Sequence, residues 1–145
     1  MAESVLASSD VEAADGVVID TNNHLAVKKS SKPYDLRIAG IISSAPGLWM
    51  GEGKTKNYKP LVLAGQVPCK VTTSNGPIMP GDLLAVSPKP GYAMKVSFVD
   101  YNKAKDSKSL RYALMENEKR RMSVIAKALE PLKEGDSTIT VLLMR

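Results

Sequence analysis

Short runs of alternating or continuous apolar residues, separated by Gly, Pro and Asn, dominate this chain. Val67, Cys69 and Val71 alternate with polar positions, the period-two pattern of a strand with one buried face. Residues 37–42 and 60–64 are nearly continuous apolar runs, as expected for strands that are buried on both faces. Further strands are predicted at 17–20, 24–27, 83–86, 92–99, 123–129 and 138–143. The pattern predicts an all-β fold, a small barrel or compact sandwich of eight to nine short strands.

Turn residues between these runs carry specific backbone chemistry. Asn75-Gly76 supplies the positive φ angle of a tight turn after the alternating strand. Gly-Asp pairs at 81–82 and 135–136 each precede an apolar strand, a match that is too short to define a repeat. We expect the Asp82 side chain to brace its own turn by accepting backbone N–H bonds.

One segment departs from the strand pattern and is predicted to be an inserted helix. Residues 107–121 contain no Gly or Pro, begin with Ser107 as an N-cap residue, and place Leu110, Ala113 and Leu114 on one face. The segment ends in three consecutive basic residues, which are favourable at a helix C-terminus.

The predicted organisation is a single domain behind a short acidic segment. Residues 1–15 are predicted to be an acidic N-terminal arm, and residues 16–145 one β-barrel-like domain. A loop insertion at 43–59 and the helical insertion at 102–121 interrupt the domain. A chain of 145 residues is close to the commonest domain size, and a composition of 43% hydrophobic and 24% charged residues is ordinary for a globular domain.

Composition excludes several classes of protein. No apolar run approaches 18 residues, so no membrane-spanning helix and no membrane partner are predicted. The first twenty residues carry five carboxylates and no Lys or Arg, the reverse of a secretory signal peptide. The single cysteine rules out an internal disulfide framework and multi-cysteine metal sites.

The charge is unevenly distributed along the chain. Residues 1–20 carry a net −5, whereas residues 101–121 carry seven basic and three acidic side chains, a net +4. An acidic arm that folds against a basic body, or along a neighbouring subunit, explains this asymmetry; a binding module for nucleic acid or another anionic polymer is the alternative. The candidate anion-binding residues are Lys103, Lys105, Lys108, Arg111, Lys119, Arg120 and Arg121.

Candidate catalytic residues are few. His24 lies beside Asn23 in a predicted hairpin turn, where a solvated polar residue is common. Cys69 shares a face with Val67 and Val71 and is expected in the core. No phosphate-binding glycine loop or calcium loop is present, and no Ser/Lys pair stands in a catalytic motif. We therefore predict no enzyme, no cofactor and no metal site, and keep a self-cleaving or hydrolytic domain only as a third alternative.

Two exposed apolar elements are candidate contacts between subunits. Trp49, flanked by Leu48 and Met50 in a loop bounded by glycines, is either a plug over one end of the barrel or an anchor at a subunit contact. Leu110 and Leu114 form the narrow apolar stripe of the predicted helix.

Five strings occur in an order that resembles a known domain. They are YDLRIAGIIS at 34–43, LVLAGQV at 61–67, GPIMPGDLL at 76–84, PGYAMK at 90–95 and AKALE at 126–130. They resemble a C-terminal β-domain of uncharacterised bacterial and phage-associated fibre-like proteins, over about residues 10–145. The second half is more loosely similar to phage capsid-decoration β-barrels.

The resemblance implies an assembly role more than a reaction. It implies a homo-oligomer, with a trimer favoured, that serves as a capsid-decoration, tail or surface-fibre component. The expected partners are further copies of the chain and a capsid or fibre protein, and the expected location is the surface of a virion or particle.

Overall fold

The computed structural model describes residues 2–44, 49–50 and 57–144; for Trp49 and Met50 it describes the backbone. The described residues form eleven strands, one α-helix and one 3-10 turn. The all-β prediction is therefore confirmed, and the strands divide between two sheets that follow one another along the chain.

The first sheet closes into a barrel. Its strands are β1 (Ala2–Ala7), β2 (Gly16–Ile19), β3 (Ala26–Lys29), β4 (Ile38–Ile42), β5 (Trp49–Met50) and β6 (Tyr58–Val62). They are ordered β3-β2-β4-β6-β1, and a parallel pairing of β1 with β3 through Leu6–Ala26 and Ala7–Val27 completes the ring. The short β5 adds to β1 in parallel, outside the ring. We call β1, β2, β3, β4 and β6 the first barrel.

The second sheet is also a closed barrel. It consists of β7 (Gly65–Thr72), β8 (Leu83–Val86), β9 (Ala93–Lys95), β10 (Ala126–Ala128) and β11 (Asp136–Leu143). The helix α1 (Ser107–Met122) and the 3-10 turn Tyr101–Lys103 are inserted between β9 and β10. We call β7 to β11 the second barrel.

The two barrels have the same topology. Around each ring the first strand pairs in parallel with the third, and the other four pairings are antiparallel. Following the pairings strand by strand, β1, β2, β3, β4 and β6 correspond to β7, β8, β9, β10 and β11. The chain is therefore a tandem structural duplication of one five-stranded barrel.

Residue-level equivalence extends to the cores. The interior of the first barrel is a cluster of Ala7, Val11, Val17, Val27, Ile42 and Leu61. The strand registers match five of these, in order without Val11, to Val71, Leu84, Ala93, Ala128 and Val141. Val11 corresponds to Ile78, because each stands four residues before the aspartate that precedes the second strand, and all six counterparts lie in the core of the second barrel. Each barrel thus has its own aliphatic interior with the same positions filled.

The same turn opens the second strand of each barrel. The Glu12 N–H donates to Asp15 Oδ2 at 2.8 Å, and the Met79 N–H donates to Asp82 Oδ2 at 2.8 Å. The residue before each aspartate has a positive φ, 72° at Ala14 and 92° at Gly81. The expectation that Asp82 braces its own turn is confirmed. Its structural counterpart in the first barrel is Asp15.

The predicted N-terminal arm is a different structure in part. Residues Ala2–Ala7 form β1, which pairs with β3, β5 and β6 and completes the first barrel. Polar Glu3 and Ser4 stand among the apolar residues of β1, because side chains in the middle of this strand are partly or fully exposed. The sequence predicted one barrel-like domain at 16–145, whereas the described residues form two barrels.

The inserted helix is confirmed at Ser107–Met122. The N-cap residue is Asp106 and not Ser107 as predicted, since the Asp106 carboxylate accepts a hydrogen bond from the Ser109 N–H at 2.7 Å. Ala113 and Asn117 are its buried residues. The Asn117 side chain bonds the backbone of Val99 in both directions, accepting at 2.8 Å and donating at 2.9 Å, and so fixes the helix to the strand extension before it.

Candidate functional site

The contact between the two barrels, which we call the inter-barrel joint, is built largely from backbone groups. The Gly16 N–H donates to the Gly91 carbonyl at 2.9 Å, and the Gly91 N–H donates to the Ser30 carbonyl at 3.0 Å. The Tyr34 N–H donates to the Val86 carbonyl at 3.1 Å. Four bonds of this kind, including that from Lys70 N–H to the Ala14 carbonyl at 3.0 Å, fix the orientation of one barrel on the other.

A buried carboxylate lies at the centre of the inter-barrel joint. The Asp15 side chain is fully buried, and its Oδ1 lies 2.9 Å from Lys70 Nζ of the second barrel. The contact is an ion pair and not a well-directed hydrogen bond. Lys29 Nζ is 3.7 Å from Asp15 Oδ2, and Glu12 also pairs with Lys70. Two of the five N-terminal carboxylates, Glu12 and Asp15, therefore contact basic residues within the same chain.

The ionisation of the pair partners reflects this arrangement. Burial disfavours the charged form of Lys70, but the ion pairs with Asp15 and Glu12 outweigh this effect, so the pKa of Lys70 is raised. The hydrogen bond from Lys70 lowers the pKa of Glu12.

Apolar side chains complete the inter-barrel joint. Val18, Ile38, Ile41 and Val62 point outward from the first barrel and belong to one continuous cluster with the core of the second barrel. One side of the first barrel therefore covers an end of the second barrel, the end formed by Lys70, Val86 and Gly91. Backbone, ionic and apolar contacts together make a rigid double barrel.

The corresponding end of the first barrel is not covered by any of the residues that the structure describes. By register, Leu6, Ile19 and Leu25 occupy the places of Lys70, Val86 and Gly91. These three residues form the rim of a groove of about 740 Å³ whose floor is lined by Val5, Val27, Ala39 and Leu61. We call this groove the open end. Ile19 is 49% exposed and Leu25 is 95% exposed, so a large apolar surface faces solvent here.

The seven predicted anion-binding residues do not form one surface. Arg120 bonds Glu116 at 2.8 Å and the Ser97 carbonyl at 2.8 Å, and it stacks on Tyr34, so it anchors the helix. Arg121 stacks on the Phe98 ring. At 100° per residue, Lys108, Arg111 and Lys119 share the outward face of α1. Lys103 lies in the 3-10 turn and Lys105 in the loop that follows.

The predicted subunit contacts stay a prediction, and the structure shows where the residues lie. Leu110 and Leu114 lie on α1, 39% and 50% exposed. Trp49 and Met50 form β5, where they pair with Ala2 and Glu3 of β1, and Leu48 lies outside the described residues. Sequence reasoning missed the open end, although an unusual leucine in a turn, Leu25, marks it. It also missed Asp15. The sequence does hold a signal for this residue, because an aspartate before a strand is followed about 13 residues later by a lysine in both barrels, at Asp15 and Lys29 and at Asp82 and Lys95.

The candidate nucleophile and base are far from a catalytic arrangement. His24 is exposed in the turn between β2 and β3, whereas Cys69 is buried within β7. Burial, with the nearby charge of Asp15, raises the pKa of the Cys69 thiol to about 12. Within residues 2–44 and 57–144, no group of three His, Cys, Asp or Glu side chains is placed to hold a metal ion. No helix in the described part of the chain is long and apolar enough to cross a membrane.

The buried thiol gives a direct test of the core assignment. Because its pKa is raised to about 12, Cys69 should be almost entirely protonated at pH 8, and burial removes it from the reagent. We expect alkylation of the folded chain to be on the order of 100-fold slower than that of the chain in 6 M guanidinium chloride. Intact-mass measurement over time reports both rates. Equal rates would show that Cys69 is accessible.

Fold and surfaces together define a class of protein: a tandem double β-barrel with one closed joint and one open end. A solved structure with this fold is the N base of the head fibre gp8.5 of bacteriophage phi29. The match covers 99% of this chain and 93% of the phage chain, with a TM-score of 0.50 and 14% sequence identity. It shows a shared fold, and at that coarse level it agrees with the predicted likeness to phage fibre proteins. No family model and no curated protein matches the sequence.

Proposed function

We propose that this chain is a non-enzymatic structural component of a bacteriophage particle, placed on the outer surface of the head as the base of a fibre or as a decoration protein. The single observation that carries the proposal is the fold shared over 99% of the chain with a phage head-fibre base. A fold can host many functions, so the proposal needs support from the surfaces as well.

Three features of the molecule support an assembly role. The inter-barrel joint makes the two barrels one rigid body. The one thiol is buried and the one imidazole is isolated from it, which leaves little for catalysis. Exposed apolar residues instead gather at the open end and along α1, as expected of a protein that binds other subunits. In this proposal the chain acts as a homo-oligomer, a trimer in its simplest form, bound to a capsid protein.

The proposal predicts that the chain is found in purified particles. Phage particles from the host that encodes it should be banded on a density gradient, and the chain quantified by mass spectrometry against the major capsid protein. We expect a fixed ratio to the capsid protein, and antibody-gold labelling of intact particles on the head. Labelling on the tail would move the assignment to a tail fibre. Recovery of the chain in the soluble lysate alone, with none in the particles, would contradict the proposal.

A further inference from the structure

We propose that the open end of the first barrel is the seat for the second barrel of another copy of the chain. The inference rests on the homo-oligomer proposed above and names the surfaces through which it forms. It follows from the duplication, because one of the two equivalent barrel ends is covered by a neighbouring barrel and the other is exposed.

The open end is an apolar surface that nothing in the described chain covers. Leu25 is 95% exposed and has a φ of 57°, the left-handed region that disfavours a leucine. Ile19 beside it is 49% exposed. A large apolar side chain held in an unfavourable backbone conformation and left in water costs stability within the monomer. A contact that buries it would recover part of that cost.

The second barrel shows what this kind of barrel end binds. There the equivalent end is covered by one side of the first barrel, through Val18, Ile38, Ile41 and Val62. The same topology therefore accepts the side of a neighbouring barrel at this end. In the first barrel the end is apolar, none of the described residues covers it in this way, and its groove of about 740 Å³ is wide enough for several side chains.

A second copy offers a matching surface. By register, Val18, Ile41 and Val62 correspond to Ala85, Lys127 and Leu142 of the second barrel, and of these Lys127 and Leu142 are exposed. Leu142 is 39% exposed and lies near the chain's exposed Met122 and Met144, which line a groove with Arg121 and Val124. We call Met122, Val124, Lys127, Leu142 and Met144 the far face, because it belongs to the opposite barrel.

Charge favours the same pairing. Glu3 lines the open end and Asp20 follows Ile19 at its rim, both carboxylates. Lys127 is exposed on the far face, and Arg121 borders it. An acidic rim on one copy therefore meets a basic border on the next, which sets the orientation of the contact and disfavours the meeting of two open ends.

The contact between copies must differ from the inter-barrel joint in two ways. A Cβ at Gly91 would lie 2.4 Å from Asp15 Oδ1, and Leu25 stands at the equivalent position. The incoming barrel must therefore sit further out than the first barrel sits on the second. Leu6 also replaces Lys70, so no buried ion pair forms. The contact is apolar, weaker than the joint, and heterologous, so identical contacts can close a ring such as the proposed trimer.

Two charge-introducing variants test the two surfaces separately. Leu25→Asp places a carboxylate at the open end and suits the left-handed backbone better than leucine, so its fold should be intact. Leu142→Asp places one on the far face, with Met144→Asp as a second variant outside β11 should the first misfold. Leu36→Asp is the matched control, 45% exposed and on neither surface. Sedimentation velocity across a concentration series should show self-association weakened about tenfold or more by either variant and unchanged by the control.

Mixing the variants gives the decisive result. The Leu25→Asp chain keeps its far face and the Leu142→Asp chain keeps its open end. An equimolar mixture should therefore form a heterodimer that grows no further. Unchanged self-association of both variants, a mixture without a heterodimer, or a wild-type chain that stays monomeric at every concentration would each overturn the inference. The proposed function is judged separately, by recovery of the wild-type chain in particles, which a failure of this contact leaves untouched.

Discussion

Replacing Gly91 by alanine should destabilise the chain by about 3 kcal/mol or more, the largest effect expected of any single methyl group added to this protein. Gly91 has a φ of 81°, which by itself costs an alanine on the order of 1 kcal/mol. In addition, the new Cβ would lie 2.4 Å from Asp15 Oδ1 and 2.9 Å from Asp15 Cγ. The Asp15 side chain is short, buried and bonded to the Glu12 N–H, so it cannot move aside without breaking the inter-barrel joint.

Gly135 provides the matched control for this prediction. Its φ is 93°, close to that of Gly91, but no atom lies within 4 Å of the position of its Cβ. Gly135→Ala should therefore show the backbone cost alone, about 1 kcal/mol. Urea unfolding of both variants at pH 7 gives the two losses. Equal losses would mean that the contact between Gly91 and Asp15 does not constrain the joint.

Replacing Asp15 by alanine should cost about 3 kcal/mol or more, because it leaves the Lys70 ammonium, 15% exposed, without its buried partner. It also removes the acceptor for the Glu12 N–H. The structural duplication supplies an internal control in Asp82, which braces the same turn of the second barrel and pairs with Lys95 at 3.6 Å in a more exposed setting. Asp82→Ala should cost about 1 kcal/mol, the value of the turn bond.

The difference between the two aspartate variants measures the inter-barrel ion pair. A double-mutant cycle of Asp15→Ala with Lys70→Met, followed by urea unfolding, would isolate the coupling between these two side chains. We expect the double variant to be more stable than Asp15→Ala alone, since it removes a largely buried ammonium whose remaining partner is the exposed carboxylate of Glu12. If Asp15→Ala and Asp82→Ala are equally stable, the ion pair across the joint contributes nothing measurable.

The pKa shifts at the joint also fix its pH dependence. The lowered pKa of Glu12 means that its contribution is present above the ordinary carboxylate range and is lost as the pH falls through its folded-state pKa. The raised pKa of Lys70 means that its contribution is complete below roughly pH 10.4 and is lost as the pH rises through the folded-state value. Stability measured by thermal unfolding should therefore form a plateau between roughly pH 5 and pH 10.

The structural duplication allows equivalent residues of the two barrels to be compared. Strand residues that share a register position in the two barrels are structural counterparts, so a difference between them separates what the barrel needs from what the assembly needs. Leu84 and Val17 agree because both fill a barrel interior. Leu25 and Gly91 disagree because one end is open and the other is covered.

Local elements of this protein were determined by the sequence itself. The alternation of Val67, Cys69 and Val71 predicted β7, and the Gly-free segment at 107–121 predicted α1, because both depend on periodicities only a few residues long. The buried setting of Cys69 and the turn bond of Asp82 followed from the same local patterns. The all-β class followed from the number of such strands.

Only the tertiary structure decided that there are two barrels, that β1 belongs to the first, and that one barrel end is covered while the other is open. Each of these depends on pairing between strands that are distant in the chain, such as β1 with β3, and on insertions that give equivalent strands unequal spacing. Pairing of distant strands is governed by register and shape, and these leave no short-range pattern in the residues. Asp15 is the clearest case: its sequence neighbours predict an acidic arm that packs on a basic body or a neighbouring subunit, and only the tertiary structure shows that Lys70 of the second barrel is its partner.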